Sequence, residues 1–142
     1  MKKILASVIL ALILLCFMNP EHVNANVIDT PAEDPVIEEY VNLRALDCDI
    51  EIKNGSAIIS ANCRGFQSVT RIEMTVEIQE KFGLFWITKS TWSESANSSS
   101  MQMVRYYAVT SGKTYRAKVK VTVYTASGSE TAIVTSSVLK AD

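Results

Sequence analysis

Apolar and polar residues alternate with a period of two along most of this chain. Leu46, Cys48, Ile50 and Ile52 interleave with Asp47, Asp49, Glu51 and Lys53. Successive side chains of a strand point to opposite faces, so this segment predicts a half-buried strand. Asn54-Gly55-Ser56 must turn, and Ile59, Ala61 and Cys63 mark the return strand. Ile72, Met74, Val76 and Ile78 then alternate with Arg71, Glu73, Thr75 and Glu77. A turn at Lys81-Phe82-Gly83 leads into residues 84–92, rich in aromatic and branched side chains. Residues 93–100 read as an open polar loop, 101–109 as a fifth strand and 110–113 as a turn. The cleanest alternation follows, with Tyr115, Ala117, Val119, Val121 and Val123 set against Arg116, Lys118, Lys120 and Thr122. After Ser127-Gly128-Ser129, residues 131–139 close the set. Seven short strands and no helical stretch predict an all-β domain, a seven-stranded antiparallel β-sandwich, with a closed barrel as the competing architecture.

The first 25 residues break this pattern. Lys2 and Lys3 precede an almost wholly apolar, uncharged run over 4–18, then Pro20 and the small or aliphatic pair Val23 and Ala25. That order is a signal peptide, with cleavage expected after Ala25 and the remainder secreted. The apolar run is short of the ~20 residues a spanning helix needs, so no stable membrane insertion is expected after cleavage. Residues 26–40 hold five acids, two prolines and no base, and read as a flexible acidic leader. Residues 41–142 form the sandwich domain and hold 12 basic and nine acidic residues, opposite in sign to the leader.

Composition then narrows the chemistry. The chain has 142 residues and a net charge of −1, enough for one core and too balanced for bulk electrostatic binding of nucleic acid. The lone histidine, His22, leaves with the signal peptide. Ser-His-Asp and Cys-His nucleophile systems are thereby excluded, as is a closed zinc site. No glycine motif cradles a phosphate, since the five glycines are isolated. The row Asp47, Asp49 and Glu51 shares one strand face and reads as a solvated surface rather than a calcium site. No enzyme activity, cofactor or metal is expected.

Two cysteines remain after export, Cys48 and Cys63, and most simply form one structural disulfide. A loop at Gly55-Ser56 would set them face to face, whereas a loop at Asn54-Gly55 would leave them diagonal; the pairing of thiols favours the first. Asp47 and Asp49 beside Cys48 oppose a thiolate, which argues against a redox pair.

The stretch Val109-Thr-Ser-Gly112-Lys-Thr-Tyr115, with the strand that follows it, resembles the corner of fibronectin type III domains, members of the immunoglobulin-like sandwiches. The resemblance implies that the Tyr115 hydroxyl bonds back to the corner backbone near Gly112, locking a strand crossing between sheets. The chain as a whole also resembles small secreted proteins of Gram-positive bacteria to which no activity is attached.

What is left for function is aromatic surface. Pairing Ile78 with Ile87 would turn Phe85 and Ile87 inward and Trp86 outward, with Trp92 on the same face. Tyr106 and Tyr107 are adjacent on one strand, so one of them faces out. Trp86, Trp92 and Tyr106 therefore form the candidate binding surface. The expected role is a non-catalytic interaction module for a protein or glycan at the cell envelope or outside the cell. The alternative is an accessory subunit assembling by edge-strand pairing.

Overall fold

The computed structural model describes residues 40–142. The expected signal peptide and all but the last residue of the acidic leader lie outside the described residues. Eight strands follow in order: β1 (Leu43–Lys53), β2 (Ser56–Gly65), β3 (Arg71–Phe82), β4 (Phe85–Ala96), β5 (Ser100–Ala108), β6 (Thr114–Thr125), β7 (Gly128–Thr135) and β8 (Leu139–Lys140). They form two antiparallel sheets. The first has the order β1-β2-β5, and the second has the order β4-β3-β6-β7 with β8 also on β6.

The period-two rows become the two inner faces. Ile59, Ala61 and Cys63 from the first sheet meet Ile72, Met74, Val76, Ile78, Ala117, Val119 and Val121 from the second, all at or near complete burial. Burying each of the larger of these side chains contributes about 1.5–3 kcal/mol relative to leaving it in water. Val69, just before β3, closes one end of this core against Gly65. A Cβ at Gly65 would come within 2.5 Å of the Val69 side chain, so only glycine fits there.

Three local readings are corrected. The closing strand is interrupted. β7 stops at Thr135, and β8 resumes at Leu139 on the same side of β6. At the break, Ser136 donates its N–H to the Ala117 carbonyl at 2.9 Å. Its side-chain oxygen accepts the Ala117 N–H at 2.8 Å, standing in for the carbonyl of a continuous ladder.

The loop expected over 93–100 is mostly strand. β4 runs to Ala96 and β5 starts at Ser100. β4 is an edge strand with much of its surface in water, so its serines and glutamate cost little there.

The first hairpin takes the other of its two registers. Lys53 pairs with Ser56, leaving Asn54-Gly55 as the loop. Both loop residues have positive φ, 50° and 72°. That is the type I′ signature, whose twist matches the flanking strands, and Asn-Gly is its preferred pair. Turn chemistry therefore set the register. Cys48 faces Ala61, and Cys63 faces Leu46. Diagonal neighbours have Cα atoms about 7–8 Å apart, beyond the reach of a relaxed disulfide. Both cysteines are free thiols, and the expected Cys48–Cys63 bridge is absent.

Candidate binding surface

The second hairpin controls where the aromatic residues go. Near its turn Phe82 pairs with Phe85, Lys81 with Trp86 and Glu80 with Ile87. A bulge between Ile78 and Gln79 then inserts Lys89 as an extra residue on β4. One extra residue reverses the side-chain alternation. Trp86 consequently shares the outer face of the second sheet with Gln79, whereas Trp92, opposite Val76, turns inward and packs against the core. Tyr106 is 67% exposed on the outer face of the first sheet. The three aromatics of the expected surface lie on three different surfaces, and the structure does not bring them together. Tyr107, the neighbour of Tyr106, packs inward with its ring 6.3 Å from that of Tyr115.

Trp86 is half-buried, and its ring is capped. The Arg116 guanidinium carbon lies 4.2 Å from the ring centre. Arg116 Nε donates to Gln79 Oε1 at 2.9 Å, and Gln79 Nε2 donates to Glu77 Oε2 at 3.0 Å. One aromatic face that a sugar would stack on is thus taken by a positioned cation.

The exposed apolar surface lies elsewhere. The alternation puts Phe82, Phe85 and Ile87 on the inner side of the second sheet, but the first sheet does not cover that end. Leu84 is 92% exposed, Phe85 74%, Phe82 64% and Ile87 47%. Phe85 and Ile87 were expected in the core. Ile87 pairs with Glu80 rather than Ile78, two rungs closer to the turn, and this moves both residues past the end of the packed rows. The run Phe82-Gly-Leu-Phe-Trp-Ile87 was visible in the sequence. Pairing Ile78 with Ile87 turns Phe85 and Ile87 inward, but an inward-facing residue is buried only where the covering sheet reaches it.

Cations surround this end. Lys81 stands beside Trp86, and Arg116 lies over it. Lys89 and Lys113 each place Nζ 3.8 Å from the Glu80 carboxylate. Glu80 also accepts the Tyr115 hydroxyl at 3.3 Å, and that hydroxyl accepts the Thr110 N–H at 3.0 Å. Tyr115 is fully buried. Gly112 has φ 79° in the turn closed by Lys113 N–H on the Thr110 carbonyl, the position a type II turn reserves for glycine.

The thiols are not poised for chemistry. Burial, then the Asp49 charge, pushes Cys48 up to about 11 against an opposing backbone hydrogen bond from Ser136. Burial alone pushes Cys63 up to about 11. Neither is a nucleophile near neutral pH. Among the described residues, no three His, Cys, Asp or Glu side chains converge to hold a metal ion, and no helix is long and apolar enough to cross a membrane.

No family model matches the chain, and no curated protein matches it. Among solved structures, it is similar to wild-type OgpA from Akkermansia muciniphila with a TM-score of 0.31 and 10% identity. That match covers 68% of this chain and 29% of the other, so the chain spans under a third of that protein's length.

Proposed function

We propose that this chain is an exported, non-catalytic interaction module built on a fibronectin type III-like sandwich, and that it engages its partner through the β3–β4 hairpin end. The single observation carrying this reading is the exposed set Phe82, Leu84, Phe85 and Ile87. Contiguous apolar surface on one projecting element commonly marks an interaction site, whereas scattered exposed apolar residues do not. The fibronectin-like assignment draws support from two features. β4 pairs with β3 instead of joining β1, β2 and β5, unlike the constant-type immunoglobulin arrangement. The Tyr115 hydroxyl also holds the corner backbone. A protein or a glycan at the cell envelope was the expected partner. The capped Trp86 ring favours an apolar partner surface over a sugar. The test is comparison of the exported chain with its Leu84→Asp/Phe85→Asp variant in binding to isolated cell envelopes. Undiminished binding by the variant would end this reading.

A second reading, an accessory subunit assembling by edge-strand pairing, draws on β4, a twelve-residue edge strand. Its bulge at Lys89 works against it, because bulges are a standard means of blunting an edge.

A further inference from the structure

We propose that the β3–β4 hairpin is an interfacial anchor for an anionic lipid bilayer, with Leu84, Phe82 and Phe85 entering the apolar boundary and the surrounding cations meeting the headgroups. This rests on reading the hairpin as the interaction surface and names its partner.

The order of residues back from the apex carries the argument. Leu84 is at the turn. Phe82 and Phe85 form the first rung, Lys81 and Trp86 the second, Glu80 and Ile87 the third. Rungs are about 3.4 Å apart, so the apolar tip is about 7 Å deep. That matches the ~5–10 Å to which an interfacial apolar face sinks. Tryptophan is favoured at headgroup level, where one end of the ring is dry and the other wet. Trp86 sits at that level, under a guanidinium. Lysine beside an apolar tip can lie along it and keep its ammonium in the headgroup layer.

Charge decides the lipid class. Lys81, Lys89, Lys113 and Arg116 flank the tip, and two carboxylates stand among them, Glu80 held by the Tyr115 hydroxyl and Glu77 held by Gln79 and the Thr88 hydroxyl, which leaves two cations in excess. Farther off, near the Gly112 turn, Lys140 and Asp142 carry one charge of each sign and add nothing to the excess. An excess of cations around an apolar projection complements an anionic surface and gains nothing from a zwitterionic one. A projecting tip with its apex residue almost wholly in water also suits a fluid surface, which needs no preformed groove.

The test uses the chain recovered after export, so that all variants share one N-terminus. Probes are vesicles of phosphatidylcholine alone and of phosphatidylcholine with phosphatidylglycerol in equal parts. Binding is read by co-sedimentation and by the emission of Trp86. We expect binding to the anionic vesicles, a blue shift of emission, and weakening by added salt. Leu84→Asp/Phe85→Asp should cut partitioning at least about tenfold, and Lys81→Glu several-fold, each with an unchanged melting temperature. Failure of the wild-type chain to bind anionic vesicles overturns the proposal, as does equal binding to both vesicle types. The same variants are tested in parallel for envelope binding and self-association. Loss there, without vesicle binding, overturns the lipid assignment and leaves the hairpin as an interaction surface for protein. Indifference in every assay overturns both readings.

Discussion

The hydroxyl of Tyr115 accepts the backbone N–H of Thr110 at 3.0 Å and donates to Glu80 on β3 at 3.3 Å. One buried phenol thereby joins the turn before β6 to the strand beside it. Tyr115→Phe keeps the ring and removes the oxygen, leaving the Thr110 N–H without that acceptor. The expected loss is about 1–3 kcal/mol. Urea unfolding should show a lower midpoint at constant slope. A midpoint equal to wild type would mean that the corner bond contributes nothing net.

Cys48 and Cys63 give stability a defined dependence on alkaline pH. Their ordinary 9.0 is raised to about 11 in the folded chain. Above pH 9 the unfolded chain gives up thiol protons first, so it is favoured as pH rises. The contribution is intact below about pH 9 and lost as pH climbs toward about 11. Tyr124, raised chiefly by its hydrogen bond to Glu73, adds a loss of the same sign. Reduced wild-type protein should therefore lose stability across that window more steeply than Cys48→Ala/Cys63→Ala, with a shallower Tyr124-dependent fall remaining in the variant. Superimposable pH slopes would refute the assignment.

Arg116 over Trp86 makes a direct optical prediction. Arg116→Ala uncaps the ring and should increase iodide quenching of Trp86, assigned by its absence in Trp86→Phe. Trp92, packed against the core, should stay shielded. The stability cost should be about 0.5–1 kcal/mol, the range of a partly exposed cation–aromatic contact. Unchanged quenching would show that the guanidinium does not cover the ring in solution.

Glu130 fastens the start of the domain. Its two carboxylate oxygens accept the N–H groups of Val41 at 2.9 Å and Asn42 at 2.7 Å. Glu130→Ala should speed hydrogen exchange at those two amides while leaving Glu51, whose N–H lies in the β1–β2 ladder opposite Ile58, protected. Equal exchange at Val41 and Asn42 in both proteins would show that the backbone there is held by other contacts.

The strands were legible because each sheet has one dry face and one wet face, and that contrast is written directly into alternating residues. Val119 and Val121 against Lys118 and Lys120 admit no other reading. Tyr115 stood out because the stretch from Val109 through Gly112 to Tyr115 resembles a fibronectin type III corner, and a buried phenol hydroxyl needs a partner such as that corner supplies. The candidate surface was less legible. Trp86 and Trp92 have the same parity in the chain, so alternation placed them on one face. The extra residue at Lys89 separates them, and nothing in the local composition marks a bulge there. The exposed hairpin end was hidden for a related reason: apolar residues read alike whether or not a second sheet reaches far enough to cover them.

By itself, then, the order of residues determined that this chain builds strands, which rows of side chains face the core and where most turns fall, since each depends on neighbours a few positions away. It left the partner of each row open. Only the folded molecule decided that Asn54 and Gly55 form the first loop and set Cys48 diagonal to Cys63. Only there does the first sheet end short of Phe82, Leu84, Phe85 and Ile87, and only there does Arg116 close over Trp86. Register and overhang depend on how two sheets of unequal length meet, and no window of local sequence contains both.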